Sequence, residues 1–99
     1  MNIIFAPLAR DDLHGIGDYL SKQNPVRANS FVHELTAACD SLATWPLRSP
    51  LIPFSENREL RRRLCKGHLI IYRIRGNVFE IVRIFHGSRD YERVLFPRD

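Results

Sequence analysis

The apolar residues of this chain fall into three rhythms: helical spacing over the first half, none over residues 47–57, and strand-like alternation after residue 59. Asn2 to Ala6 is a short apolar run stopped by a proline, too brief for a helix, and predicts a strand. Pro7 suits the first position of a helix, where its missing N–H costs nothing. Asp11 and Asp12 fall near the first turns, on the favourable side of the helix dipole. Leu13, Ile16 and Leu20, with Tyr19 beside them, recur at three and four residues and predict an amphipathic helix. Gly15 and Gly17 each cost about 1 kcal/mol relative to alanine in a helix interior. They imply either close approach of a neighbour or a locally weak helix. The helix ends at Asn24, because the residue before Pro25 avoids helical backbone.

Asn24 is also the natural cap of a second helix with Pro25 at its first position. Its inward stripe is Ala28, Phe31, Leu35, Ala38 and Leu42, widened by Val32 and Cys39, and the pattern stops at Trp45-Pro46. Two helices joined by so short a connection pack antiparallel, as a helical hairpin. Pro50 and Pro53 then enforce an extended or turning path. Leu60, Arg62 and Leu64 alternate with Arg61, Arg63 and Cys65, which predicts a strand. His68–Ile74 and Val78–Phe85 are β-branched and aromatic, with Arg75-Gly76-Asn77 as the hairpin loop between them. Leu69 to Tyr72 and Ile81 to Phe85 are apolar on both parities, so both faces of these strands should be covered. The helical hairpin covers one face; the other is expected to await a partner. After Phe85 the chain leaves the sheet, and Tyr91 to Phe96 is expected to form a last short turn. The order is βααβββ, an α+β arrangement of an N-terminal strand and a helical hairpin on an antiparallel sheet.

Ninety-nine residues suffice for one domain spanning 1–99. Hydrophobic and charged shares of 44% and 26% are those of an ordinary globular protein. No apolar run approaches the roughly 18–20 residues that span a bilayer, and no secretory leader is discernible at the N-terminus. Cys39 and Cys65 make no disulfide framework, and the expected address is the cytoplasm. Charge changes the picture more. Residues 1–57 hold four Lys/Arg against six Asp/Glu, whereas residues 58–99 hold eleven against five. A basic second half suggests an acidic partner, nucleic acid or protein, or simply solvated strand and loop charge.

Candidate chemistry is sparse. His14, His33, His68 and His86 share no short spacing with one another or with a cysteine, so no metal is expected. No phosphate-binding glycine loop and no nucleophile elbow occurs, and no cofactor is expected. Cys39 is most simply a small core side chain. Cys65, flanked by Arg63 and Lys66, is a candidate for a lowered pKa, although a plain strand residue is the simpler reading. Within Arg61-Arg62-Arg63, Arg62 shares the parity of Leu60 and Leu64 and should need an anionic partner. Edge protection of the sheet is the competing reading. Arg73, Arg75, Arg83, His86, Arg89 and Tyr91 could bind phosphate, cleave RNA by acid–base catalysis or form a protein interface. Spacing does not choose between these.

Residues Pro7-Leu8-Ala9-Arg10-Asp11-Asp12-Leu13, with Ile16, Asp18 and Tyr19, resemble the first helix of the RelE/ParE superfamily of bacterial toxins. Asn24-Pro25, Ala28, Phe31 and Leu35, closing at Trp45-Pro46, resemble its second helix and the turn that follows. Leu60-Arg61, Gly67, Ile71-Tyr72-Arg73, Ile81-Val82-Arg83 and His86-Gly87-Ser88-Arg89-Asp90 are similar to its strand signature. The match runs in order over nearly the whole chain. It implies the toxin of a type II toxin–antitoxin module, held inactive by a cognate antitoxin, commonly ribbon-helix-helix in ParE-like pairs.

Two activities divide that superfamily. RelE-like members cut messenger RNA in the ribosome with basic residues and often a late tyrosine; ParE-like members poison DNA gyrase. Leu69 stands where RelE-like toxins carry an arginine, and Leu95 at the place of the tyrosine. An aliphatic side chain neither stabilises a phosphorane nor accepts a proton, so the resemblance favours a ParE-like toxin that acts by binding. Arg61, Arg63, Arg73 and Arg89 are then the implied target contacts, and Leu13, Ile16, Leu20, Ile71 and Ile81 the implied antitoxin contacts. The alternatives are a RelE-type ribonuclease using His86, Arg89 and Tyr91, and a degenerate non-toxic antitoxin partner.

Overall fold

The computed structural model describes residues 2–53, 59–87 and 91–95. Strand β1 (Asn2–Phe5) turns Ile3 and Phe5 inward and Asn2 and Ile4 outward. Helix α1 (Pro7–Gln23) follows at once, with proline in its first turn. Asn24, in extended backbone, ends α1 and starts α2 (Pro25–Leu42); its Oδ1 accepts the Arg27 amide at 3.2 Å. Three strands come next, β2 (Arg61–Cys65), β3 (His68–Arg75) and β4 (Val78–His86), and then a five-residue helix, α3 (Tyr91–Leu95), where a turn was expected.

The sheet order is β1-β4-β3-β2. The β2–β3 and β3–β4 pairs are antiparallel, but β1 lies parallel to β4, Ile3 opposite Phe79 and Phe5 opposite Ile81. The sheet is therefore antiparallel in its last three strands and mixed overall. Tight turns impose antiparallel pairing on β2, β3 and β4. Gly67 and Gly76 supply the left-handed backbone these turns need, at φ 77° and 58°. The long helical crossover leaves the direction of β1 free. Between Ile71 and Tyr72 the register shifts, and Val82 becomes the extra residue of a bulge.

Two apolar clusters sandwich the sheet. On the helix side, Ala9, Phe31, Leu35 and Cys39 pack on Ile70, Tyr72, Phe79, Ile81 and Ile84. The Tyr72 ring stacks on Phe79 at 4.6 Å, and its hydroxyl donates to the Pro46 carbonyl at 2.6 Å, pinning the turn after α2. On the other side, Ile52, Leu60, Leu69 and Ile71 are buried together, with Val82, Phe85, Tyr91 and Leu95 packed on them. The face expected to await a partner is thus covered, over this stretch, by the chain itself. Residues 50–52 run along the β2 edge, where Ile52 N donates to the Leu60 carbonyl and Arg62 N to that of Pro50. Among the described residues no helix is long and apolar enough to cross a membrane.

Candidate functional site

The cations singled out in the sequence have different fates. Arg61 curls back and donates to the carbonyls of Leu47 and Ser49 at 3.3 and 2.6 Å, fastening the loop after α2. Arg73 pairs with Glu80 across the β3–β4 ladder. Arg83 makes two bonds to Asp12, Nε to Oδ2 at 2.8 Å and Nη2 to Oδ1 at 2.9 Å, and its guanidinium lies 4.8 Å from the Phe85 ring centroid. This contact holds the Arg83 pKa above the usual arginine range, chiefly through the hydrogen bond to Asp12. Arg89 lies outside the described residues. Arg62 and Arg63 are exposed and have no carboxylate partner among the described residues. Arg62 needs none, contrary to expectation: Leu60 is fully buried but Leu64 is 57% exposed, so the apolar parity of β2 opens to solvent halfway along the edge strand.

His86 and Tyr91 are not brought together. His86 contacts His68, whose ring lies against Phe31 of α2 on the helix side of the sheet. Tyr91 packs into the opposite cluster over Leu69 and Ile71. Leu69 is buried in that same cluster and Leu95 is half-buried against it, so both positions offer aliphatic packing in place of a cation or a phenol.

The His68–His86 contact has no local signature in the sequence, since eighteen residues separate the partners. The ladder makes it: Leu69 faces Phe85, so the preceding and following residues meet at the sheet end. Burial lowers the His68 pKa below the ordinary histidine range, against the pull of its bond to the Lys66 carbonyl. Cys39 is buried and its thiol is pushed up to about 12. Cys65 is also raised, because burial outweighs Arg63 and Lys66, the reverse of the lowered pKa considered from its flanks.

Of the apolar residues implied for antitoxin binding, Leu13, Ile16 and Leu20 are half-buried along α1 against the helix-side cluster. Ile71 and Ile81 are fully covered inside the chain and offer a partner no surface. Among the described residues a groove of about 340 Å³ lies open between the start of α1, β4 and α3. Pro7, Leu8, Val82, Arg83, Val94 and Leu95 line it, and Leu8 and Val94 are more than half exposed.

A family model described as the ParE toxin of the type II toxin-antitoxin system, parDE, matches residues 3–91. Among solved structures, a chain of the chromosomal ParDE TA system from P. aeruginosa is similar, with a TM-score of 0.73 and 22% sequence identity. That likeness covers 89% of this chain and 97% of the other. No curated protein matches the chain. The helical hairpin, the strand order and a family match running from β1 to the first residue of α3 agree: the chain belongs to the family of ParE toxins of type II toxin–antitoxin systems.

Proposed function

We propose that this chain arrests growth by binding DNA gyrase, without catalysis of its own, and that a cognate antitoxin of the ribbon-helix-helix class neutralises it. The observation that carries the non-catalytic reading is the separation of His86 from Tyr91 by the thickness of the sheet, with Leu69 and Leu95 packed in the apolar cluster. Acid–base cleavage of RNA needs its groups within hydrogen-bond reach of one scissile phosphate. The packing of His86 and Tyr91 on opposite faces of the sheet supports the non-catalytic reading.

Binding, by contrast, needs exposed complementary surface. Arg62 and Arg63 are exposed on β2, without a carboxylate partner among the described residues, next to exposed Leu64. Arginine beside apolar surface is the composition favoured where protein interfaces are strongest. The groove beside α1 and α3 supplies an apolar seat for the antitoxin, distinct from that edge. A supercoiling assay with purified gyrase tests the target: added protein should inhibit supercoiling and accumulate cleaved DNA. Undisturbed supercoiling, together with transcript cleavage on translating ribosomes, would overturn the reading. Leu8→Glu, which places a charge in the groove, should abolish copurification with the antitoxin while leaving gyrase inhibition intact.

A further inference from the structure

Two imidazoles meet where β3 begins and β4 ends. His68 Nδ1 lies 3.3 Å from the carbonyl oxygen of Lys66. A carbonyl only accepts, so this nitrogen carries the ring proton and Nε2 keeps its lone pair. Nε2 lies 3.4 Å from Nδ1 of His86, and the rings meet edge to face with centroids 5.0 Å apart. With Nε2 of His68 as acceptor, Nδ1 of His86 is the donor of a long, weak N–H···N hydrogen bond at that spacing. The spacing equals the about 3.3–3.4 Å that separates two imidazole nitrogens on one tetrahedral zinc, each about 2.0–2.1 Å from the metal.

The surroundings are those of a ligand pair. Metal-binding histidines are oriented by donating the other ring nitrogen to a carbonyl or carboxylate, and His68 donates to Lys66 in this way. The Phe31 ring, 5.0 Å from that of His68, holds the imidazole in place. His68 is buried, so its ring is held in place, whereas exposed His86 leaves an entry path from solvent. We propose that His68 Nε2 and His86 Nδ1 form a two-imidazole site for a divalent ion of the zinc class, with water completing the tetrahedron.

The ion is one that imidazole suits, zinc, copper(II) or nickel, rather than magnesium or calcium. Among the described residues no cluster of three or more His, Cys, Asp or Glu could hold a metal. The site is therefore open, and its affinity falls well short of that of a closed four-ligand centre. Cys65 is the cross-strand neighbour of His68, yet the three side chains do not form a group able to share one ion. Lys66 in the turn and Arg27, 5.4 Å from the Phe31 ring centroid, are the nearby cations that oppose a metal charge. On binding, the Nδ1 proton of His86 moves to its Nε2, so the neutral pair releases no net proton. Below the ordinary histidine pKa the ion must displace protons and binding weakens. A bound ion would tie the end of β4 to the start of β3, beside the hydrogen bond from Gly87 N to the Gly67 carbonyl.

Zinc chloride is titrated into the full chain, followed by calorimetry and by nitrogen-15 spectra of the imidazoles. The expected result is one ion per chain, with shifts confined to the rings of His68 and His86, both nitrogens of His86 moving as its proton passes from Nδ1 to Nε2. His86→Gln, at an exposed position, should weaken binding roughly tenfold or more, while the double variant His14→Gln/His33→Gln binds as the parent does. Spectra that zinc leaves unchanged, or binding that survives His86→Gln, would overturn the site. The outcome is independent of gyrase, since neither measurement involves it.

Discussion

The carboxylate of Asp12 meets both the Arg83 guanidinium and the backbone amide of Ile84, the latter at 2.9 Å. β1 stops opposite Ile81, so the outer edge of β4 continues without a strand, and α1 crosses it there. Asp12 supplies the acceptor that a neighbouring strand would have given. Asp12→Ala strands a half-buried arginine and an amide together, and should cost about 2–4 kcal/mol in chemical denaturation at neutral pH. Asp12→Asn, which keeps one acceptor, should cost less. In the sequence Asp12 shows only as a charge near a helix start, because its partners lie more than seventy residues away. His68 was equally hidden, and its environment sets a pH dependence. Its folded pKa lies below the ordinary 6.5, so the unfolded chain binds the proton more readily. The neutral ring's contribution is complete above 6.5 and is lost as pH falls through the interval down to the folded pKa. Denaturation midpoints between pH 7.5 and 5 should therefore fall, and His68→Gln should flatten that slope.

At the scale of elements, legibility follows length and local chemistry. Both long helices announce themselves, because Asn24-Pro25 is at once a stop and a start and the apolar stripes span several turns. The two glycines of α1 resolve into different positions. A Cβ on Gly17 would come within 3.6 Å of Val32, an ordinary contact with α2, whereas one on Gly15 meets open space. Gly15→Ala should accordingly stabilise the protein by up to about 1 kcal/mol through helix propensity alone, read as a shift in the denaturation midpoint at unchanged slope. A decrease would mean that α1 needs its weakness at that turn. The cover of the outer sheet face was not legible. Ile52 sits in a proline-broken segment with no period, and α3 is only five residues long, too short for periodicity to register. The same limit misplaced Arg62, since a period of two says which residues share a face but not where an edge strand runs out of neighbours.

For the whole molecule, the excess of positive charge in the second half is real, and three of its eleven cations are engaged within the fold. Arg61 is engaged by loop carbonyls, Arg73 by Glu80 and Arg83 by Asp12. Replacing any of these tests the fold as much as the function. Arg73→Glu would set two carboxylates side by side, and Arg61→Glu would release the loop that carries Ser49, so growth arrest lost in either variant has two causes. Arg63 is free of this ambiguity: it is exposed, on an edge strand, and unpaired among the described residues. Surface charges of this kind contribute little to stability but steer and hold an acidic partner. Arg63→Glu should leave the melting temperature within about 2 °C of the parent while relieving growth arrest and gyrase inhibition together. If cells expressing Arg63→Glu still filament and the purified variant still blocks supercoiling at the parent's concentration, the β2 edge is not the target surface. The next surface to substitute is then the helical side, where Tyr19, Val26 and Trp45 are among the exposed apolar residues.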